Sequence, residues 1–247
     1  MSSMKNRFAI IGRLMGVAFG LGLMAAAPGG HAGPITVGSQ YEINDLNGGV
    51  FTPSPLPADS NGLFSSVTIY VGSSSLSANA GLFVLDYRPF GSTGSWESFL
   101  SFCLNPDLWL KTFNNPYTAL NLWSWTDTSR ASKIAELWGR FRSSVTNDLN
   151  AAAFQVALWE LSYEGGTDVS SGTFWVSAGA VRDQANSWLG QLDGTGPMAS
   201  GLIVFSDVPG SVNRQDLITQ VPEPATLALL GVGLAGISFA TRRRAKH

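Results

Sequence analysis

The chain has 247 residues, 45% hydrophobic and 13% charged, with a formal net charge of −2. That figure averages unlike parts: between Gly33 and Gln220 eight basic residues face sixteen acidic ones, a net −8, while seven of the fifteen Lys and Arg lie in the two ends. The acidic middle makes nucleic acid an unsuitable partner. Because His31 and His247 also lie in the ends, the middle has no imidazole for a Ser-His-Asp triad, a Cys-His dyad or a His-bearing zinc site.

In chain order, Lys5, Arg7 and Arg13 flank an apolar run from Leu14 to Ala27, and the small residues Gly30 and Ala32 stand at signal-peptidase spacing. They predict a signal peptide over 1–32, with a cut after Ala27 as the alternative. The Pro, Gly, Ser and Asn of 33–65 predict extended loops with short strands. Alternation of Val67, Ile69 and Val71 with Thr68 and Tyr70 predicts a strand over 66–71. The stretch 72–81 reads as a turn or flexible loop, its Ser73 to Ser77 run as linker. Strands follow over 81–87, closed by Pro89, and over 97–104, closed by Asn105-Pro106.

Helical spacing begins after Thr128-Ser129, which read as a cap for a helix over 130–142 with Ile134, Leu137, Trp138 and Phe141 on one face. Arg140 and Arg142 near its end read as surface charges favoured by the helix dipole. A helix over 147–163 is apolar around nearly its whole circumference, which marks it as buried. A third spans 177–192, with Val181, Ala185, Trp188, Leu189 and Leu192 in phase. Strands over 201–205 and 216–219 close the domain. The pattern predicts an α+β class for 33–220: a β-rich sandwich or barrel-like domain with a helical insert of about three helices.

The end of the chain, 221–247, has three parts. Val221-Pro222-Glu223-Pro224 precedes an apolar run from Ala225 to Ala240, which predicts a transmembrane helix over about 225–241, and then a basic end, 242–247, with Arg242, Arg243 and Arg244. At ~1.5 Å per residue such a helix is a minimal span of the ~30 Å hydrocarbon core. The prolines mark its outer boundary, and the arginines hold the other end in the cytoplasm. Pro-Glu-Pro, short helix and basic end together resemble the PEP-CTERM sorting tail. The resemblance implies processing by an exosortase-type protease, transient anchoring in the inner membrane of a Gram-negative bacterium, and release to the cell surface or extracellular matrix. The plain alternative is a C-terminal anchor.

Two residues of the middle stand out. Gln155 puts a primary amide in an apolar helix, where burial without partners costs about 1–3 kcal/mol. Cys103 is the only cysteine of the chain, so it has no intramolecular disulfide partner. Phe102-Cys103-Leu104-Asn105 at a strand end and Gln155-Val156-Ala157-Leu158-Trp159-Glu160 on a helix resemble the paired motifs of bacterial thioester domains of surface adhesins. The resemblance implies an internal Cys103–Gln155 thioester, supported by Phe102, Ala157, Trp159 and Glu160, that acylates a surface amine or hydroxyl on a protein or polysaccharide. This is a single acyl transfer without turnover, so the chain is not read as an enzyme, and it implies no cofactor or metal. One departure from the family pattern is Phe154, where Thr is common. Glu160 stands about 140° round the helix from Gln155 at ~100° per residue, and Asp148, Asp107 and Tyr163 are no better placed as proton donors.

A second function reads from the eight tryptophans. Trp138, Trp159 and Trp188 are in helical phase with the core, whereas Trp96, Trp109, Trp123 and Trp125 are free to form a sugar-stacking surface. That alternative is a non-catalytic matrix module binding exopolysaccharide reversibly. A carboxylate-dependent glycosidase is a third reading, without a paired-carboxylate motif to carry it.

Overall fold

The computed structural model describes residues 34–44, 62–108, 116–207 and 214–221. Within them the chain forms β1 (Gln40–Asn44), β2 (Leu63–Val71), β3 (Ser74–Pro89), β4 (Glu97–Cys103), β5 (Tyr117–Asn121), α1 (Leu122–Trp125), α2 (Thr128–Phe141), α3 (Asp148–Tyr163), β6 (Phe174–Val176), α4 (Ala180–Leu189), β7 (Leu202–Asp207) and β8 (Leu217–Gln220). The expected signal peptide, Pro222, Glu223 and Pro224, the membrane helix and the basic end lie outside these residues. No described helix is long and apolar enough to cross a membrane.

Six strands close into an antiparallel barrel in the order β1-β5-β7-β8-β4-β3, with β3 returning to β1. The expected barrel-like, β-rich class is therefore what forms. Its interior follows from the register. Tyr41 stands opposite Tyr117, Tyr117 opposite Asp207, Phe205 opposite Leu217, and Leu217 opposite Cys103. Directly paired residues share a face and side chains alternate along a strand, so Tyr41, Tyr117, Phe205, Leu217 and Cys103 all point one way. The rings of Tyr41, Tyr87, Phe99 and Phe205, from four different strands, meet there with centroids 5.3 to 5.8 Å apart. That face is the inside of the barrel.

The other face lies under the helices. Phe102 is fully buried, its ring 4.8 Å from Phe154 of α3 and 5.7 Å from Trp138 of α2. As its composition predicted, α3 is buried all round, from Ala151 through Ser162. Asn147 caps it, its side chain accepting from the Asn150 N–H at 2.9 Å.

The segment 72–81 corrects the sequence reading. Only a tight turn at Gly72 is loop; from Ser74 the chain is strand, paired residue for residue with β2 from Val71↔Ser74 to Leu63↔Leu82. Leu76, Ala78, Ala80 and Leu82 alternate with Ser77, Asn79 and Gly81, but residues this small are weak strand formers, so the β2 ladder settles what the Ser- and Gly-rich composition reads as loop. β3 thus has two halves. Phe83 to Tyr87 belong to the barrel, paired with β4, whereas Ser74 to Leu82 run out as an arm in which β2 lies between β3 and β6.

Other differences are smaller. The cap of α2 is Asp127, whose carboxylate accepts from the Ser129 and Arg130 N–H groups at 3.0 Å, one residue before the expected Thr128-Ser129. The helix expected over 177–192 occupies only Ala180–Leu189. Arg140 is not a simple surface charge: it pairs with buried Glu136 at 2.8 Å and with Asp193 at 2.8 Å. The Arg142 guanidinium lies 5.8 Å from the centre of the Phe102 ring.

Candidate functional site at the Cys103–Gln155 junction

Cys103 is the last residue of β4. Successive residues of an antiparallel strand send their N–H and C=O groups to opposite edges. Leu104 N–H bonds the Asp216 carbonyl on the β8 side at 2.9 Å, so the Cys103 peptide groups face the β3 side. There the ladder has ended: continuing the register Phe83↔Ser101 would bring Gly81 opposite Cys103, but β3 and β4 pair only from Phe83↔Ser101 to Tyr87↔Glu97. Gln155 of α3 fills the gap. The Cys103 N–H donates to Gln155 Oε1 at 2.9 Å, and Gln155 Nε2 donates to the Cys103 carbonyl at 2.6 Å. A side-chain carboxamide has the donor and acceptor of a peptide group, so it completes a strand edge from a helix.

Two further contacts hold α3 on the end of β4. Ser162 Oγ donates to the Leu104 carbonyl, and the Phe154 ring packs on Phe102. Ser162 was not among the candidates read from sequence. Its spacing of seven residues from Gln155, two helical turns on the same face, is the signal that would have found it.

The structure brings the Gln155 side chain against the Cys103 backbone, and Phe102 and Ala157 are buried in the core. Gln155 is fully buried and Cys103 is 4% exposed. By register the thiol points into the barrel, and burial pushes its pKa well above the ordinary thiol range. Tyr117 belongs to the opposite side of the barrel; its hydroxyl is buried without a hydrogen-bond partner among the described residues, and its ring carries the Arg214 guanidinium at 4.1 Å.

Trp159 is buried and meets Phe174 of β6 at 6.2 Å, edge to face. Glu160 turns away, as its helical phase implied. Its carboxylate faces the loop after α3, so close to Gly166 that a Cβ there would lie 2.0 Å from Oε1. Burial, with Glu164 nearby, raises its pKa to about 7. Asp107 and Asp148 are exposed, and Tyr163 is 37% exposed at the end of α3. Among the described residues no cluster of His, Cys, Asp and Glu is able to hold a metal ion.

The tryptophans divide as their phases suggested, with Trp138, Trp159 and Trp188 in the core. Trp123 is 48% exposed on α1, Trp125 donates to Asp216 Oδ2 at 2.9 Å, and Trp96 lies under the Arg88 guanidinium at 4.3 Å. Trp109 is outside the described residues.

β8 ends at Gln220, and the Val221 N–H still bonds to the Gly201 carbonyl at 2.9 Å. From that point the sequence matches a known sorting signal: residues 220–244 fit the PEP-CTERM protein-sorting motif. The chain is an exosortase-sorted exported protein. The PEP-CTERM motif entails processing by an exosortase and transit through the membrane before sorting, and it starts at the last residue of a barrel strand. No curated protein and no solved structure matches the chain. The thioester-domain resemblance therefore rests on the Cys103 and Gln155 segments and their geometry.

Proposed function

We propose that this exosortase substrate is a surface or matrix protein that attaches covalently to its partner through an internal thioester between Cys103 and Gln155. The observation that carries the reading is the docking of the Gln155 carboxamide on the Cys103 peptide groups, through two hydrogen bonds in a site closed to water. The reaction also needs the thiol, which points into the barrel, turned onto the amide carbon; reactants held in that geometry reach effective concentrations of roughly 10⁵ to 10⁸ M.

The chemistry balances with groups at hand. Cys103 Sγ adds to Gln155 Cδ, and the charge that develops on Oε1 is held by the Cys103 N–H already bonded to it. The C–N bond then breaks, the thiol proton leaves with Nε2 as ammonia, and a Cys103–S–C(O)–Gln155 thioester remains. A partner amine or hydroxyl attacking this carbonyl gives an amide or ester on Gln155 and regenerates the Cys103 thiol. Burial shields the thioester from hydrolysis until a nucleophile is admitted.

A second reading is favoured by the same two bonds. They satisfy every polar need of the Gln155 amide except one donor hydrogen and one acceptor lone pair, so Gln155 also serves as a structural pin without reacting. Intact mass separates the two. The thioester reading expects purified protein to be short by one ammonia relative to its sequence, methylamine to add across the bond, and both Cys103→Ala and Gln155→Ala to show full mass. Full mass with a titratable thiol in fresh protein would leave the pin as the role of Gln155.

A further inference from the structure

Residues 62–85 and 169–181 contain no Asp, Glu, Lys or Arg. The two stretches meet in the arm, where β2 pairs with β3 on one side and β6 on the other. Its inner face, Val67, Ile69 and Val176, is buried, and α3 packs on this side of the arm. On the outer face the register sets Ser66 opposite Asn79, Thr68 opposite Ser77, and Tyr70 opposite Trp175. Ser66, Thr68 and Ser77 are exposed, whereas Asn79, Tyr70 and Trp175 are half-buried. The Tyr70 and Trp175 rings are parallel, with centroids 3.5 Å apart.

The solvent face of an antiparallel sheet, and its edge strand above all, ordinarily carries charged residues that keep it soluble and unpaired. This face has none, although it belongs to a domain of net charge −8. What it offers instead is a row of hydroxyl and amide groups, with Ser66 and Ser77 hydrogen-bonded at 3.3 Å, ending in two aromatic rings that stack on each other and leave their outer faces and edges to a ligand. Sugar rings present that combination in complement: C–H faces that cover an aromatic ring and hydroxyls that both donate and accept. Charge selects among sugars. The acidic domain repels a polyanion, and a face without cations gives an acidic sugar nothing to pair with.

We infer that the outer face of the arm binds a neutral polysaccharide, with Tyr70 and Trp175 as the stacking platform and Ser66, Thr68, Ser77 and Asn79 as the polar row. This grip is reversible and uses neither Cys103 nor Gln155, so it stands whether or not the thioester forms.

The test follows full-length protein, held in a zwitterionic detergent, binding to immobilised dextran, laminarin, hydroxyethylcellulose and alginate by surface plasmon resonance. At least one neutral polymer should bind, with affinity unchanged at about 0.5 M salt, where charge effects are screened, and alginate should not. Trp175→Ala should weaken binding about tenfold or more, as loss of a central aromatic contact does, Trp175→Phe should keep most of it, and Trp123→Ala should have no effect. Thermal melts identify any variant that fails to fold, and Tyr70→Ser provides an independent disruption of the same platform. The inference is overturned if no neutral polymer binds, if alginate alone binds, or if folded Trp175→Ala and Tyr70→Ser proteins both bind like wild type.

Discussion

Gln155 takes the place on the edge of β4 that Gly81 would hold if β3 kept its barrel register: its amide accepts from the Cys103 N–H and donates to the Cys103 carbonyl, while β3 and β4 pair only from Phe83↔Ser101 to Tyr87↔Glu97. The bonds go to the backbone of Cys103, so they survive loss of the thiol. Gln155→Leu strands a buried N–H and a buried C=O, at about 1–3 kcal/mol for each group. Cys103→Ala loses only packing. Urea unfolding should therefore show the Gln155 variant clearly less stable than the Cys103 variant. Equal stabilities would mean that the amide bonds contribute nothing.

Gly81 is where β3 leaves the barrel for the arm. A Cβ at this position would lie 2.1 Å from the Leu63 carbonyl and 2.5 Å from the Phe64 Cβ. Neither obstacle is the end of a flexible side chain, so the ladder itself has to shift. Gly81→Ala should destabilise the fold by about 1–3 kcal/mol, the usual range for overpacking. A variant as stable as wild type would show that β2 and β3 are not so closely packed there.

Glu136 organises the loop after α4 from within the core. Its carboxylate accepts from Arg140 Nε at 2.8 Å, from the Gly194 N–H at 2.9 Å and from the Gly196 N–H at 3.0 Å. Glu136→Leu leaves two backbone donors and part of a guanidinium without a partner. A loss of about 2–4 kcal/mol is expected, below the full figure for a deeply buried pair because Arg140 is partly open to solvent and keeps Asp193. Faster hydrogen exchange at residues 194–196 in a milder Glu136→Gln variant would locate the effect.

Glu160 gives stability a pH dependence. Burial first, and Glu164 next, raise its pKa from 4.5 to about 7. Between those values the folded chain binds more protons than the unfolded one, so this contribution is complete below about pH 4.5 and is lost as pH rises through about 7. Thermal melts from pH 5 to 7.5 should show the midpoint falling with pH, and Glu160→Gln should flatten the slope. Asp216, raised by its own burial, shifts stability in the same direction. An unchanged slope would show that Glu160 ionises normally in the fold.

The sequence by itself determined the sorting signal and the materials of this protein. The Pro-Glu-Pro tail is a linear signal, read without folding, and the apolar circumference of 147–163 already marked a helix that had to be buried, as α3 is. Cys103 and Gln155 each stood out in its own element, and the resemblance of their flanking motifs set them together; the structure lays the Gln155 amide on the Cys103 backbone. What tertiary structure alone decided is everything set by pairing across the chain. The strand at 74–82 alternates Leu76, Ala78, Ala80 and Leu82 with Ser77, Asn79 and Gly81, but so many small residues read as loop until β2 runs beside them. β6 is three residues long, too short to show a period. The charge-free face and its Tyr70–Trp175 pair come from segments about a hundred residues apart, brought into register only by a sheet. Local pattern records what a residue prefers; which edge it meets depends on the hydrogen bonds its neighbours leave unmade.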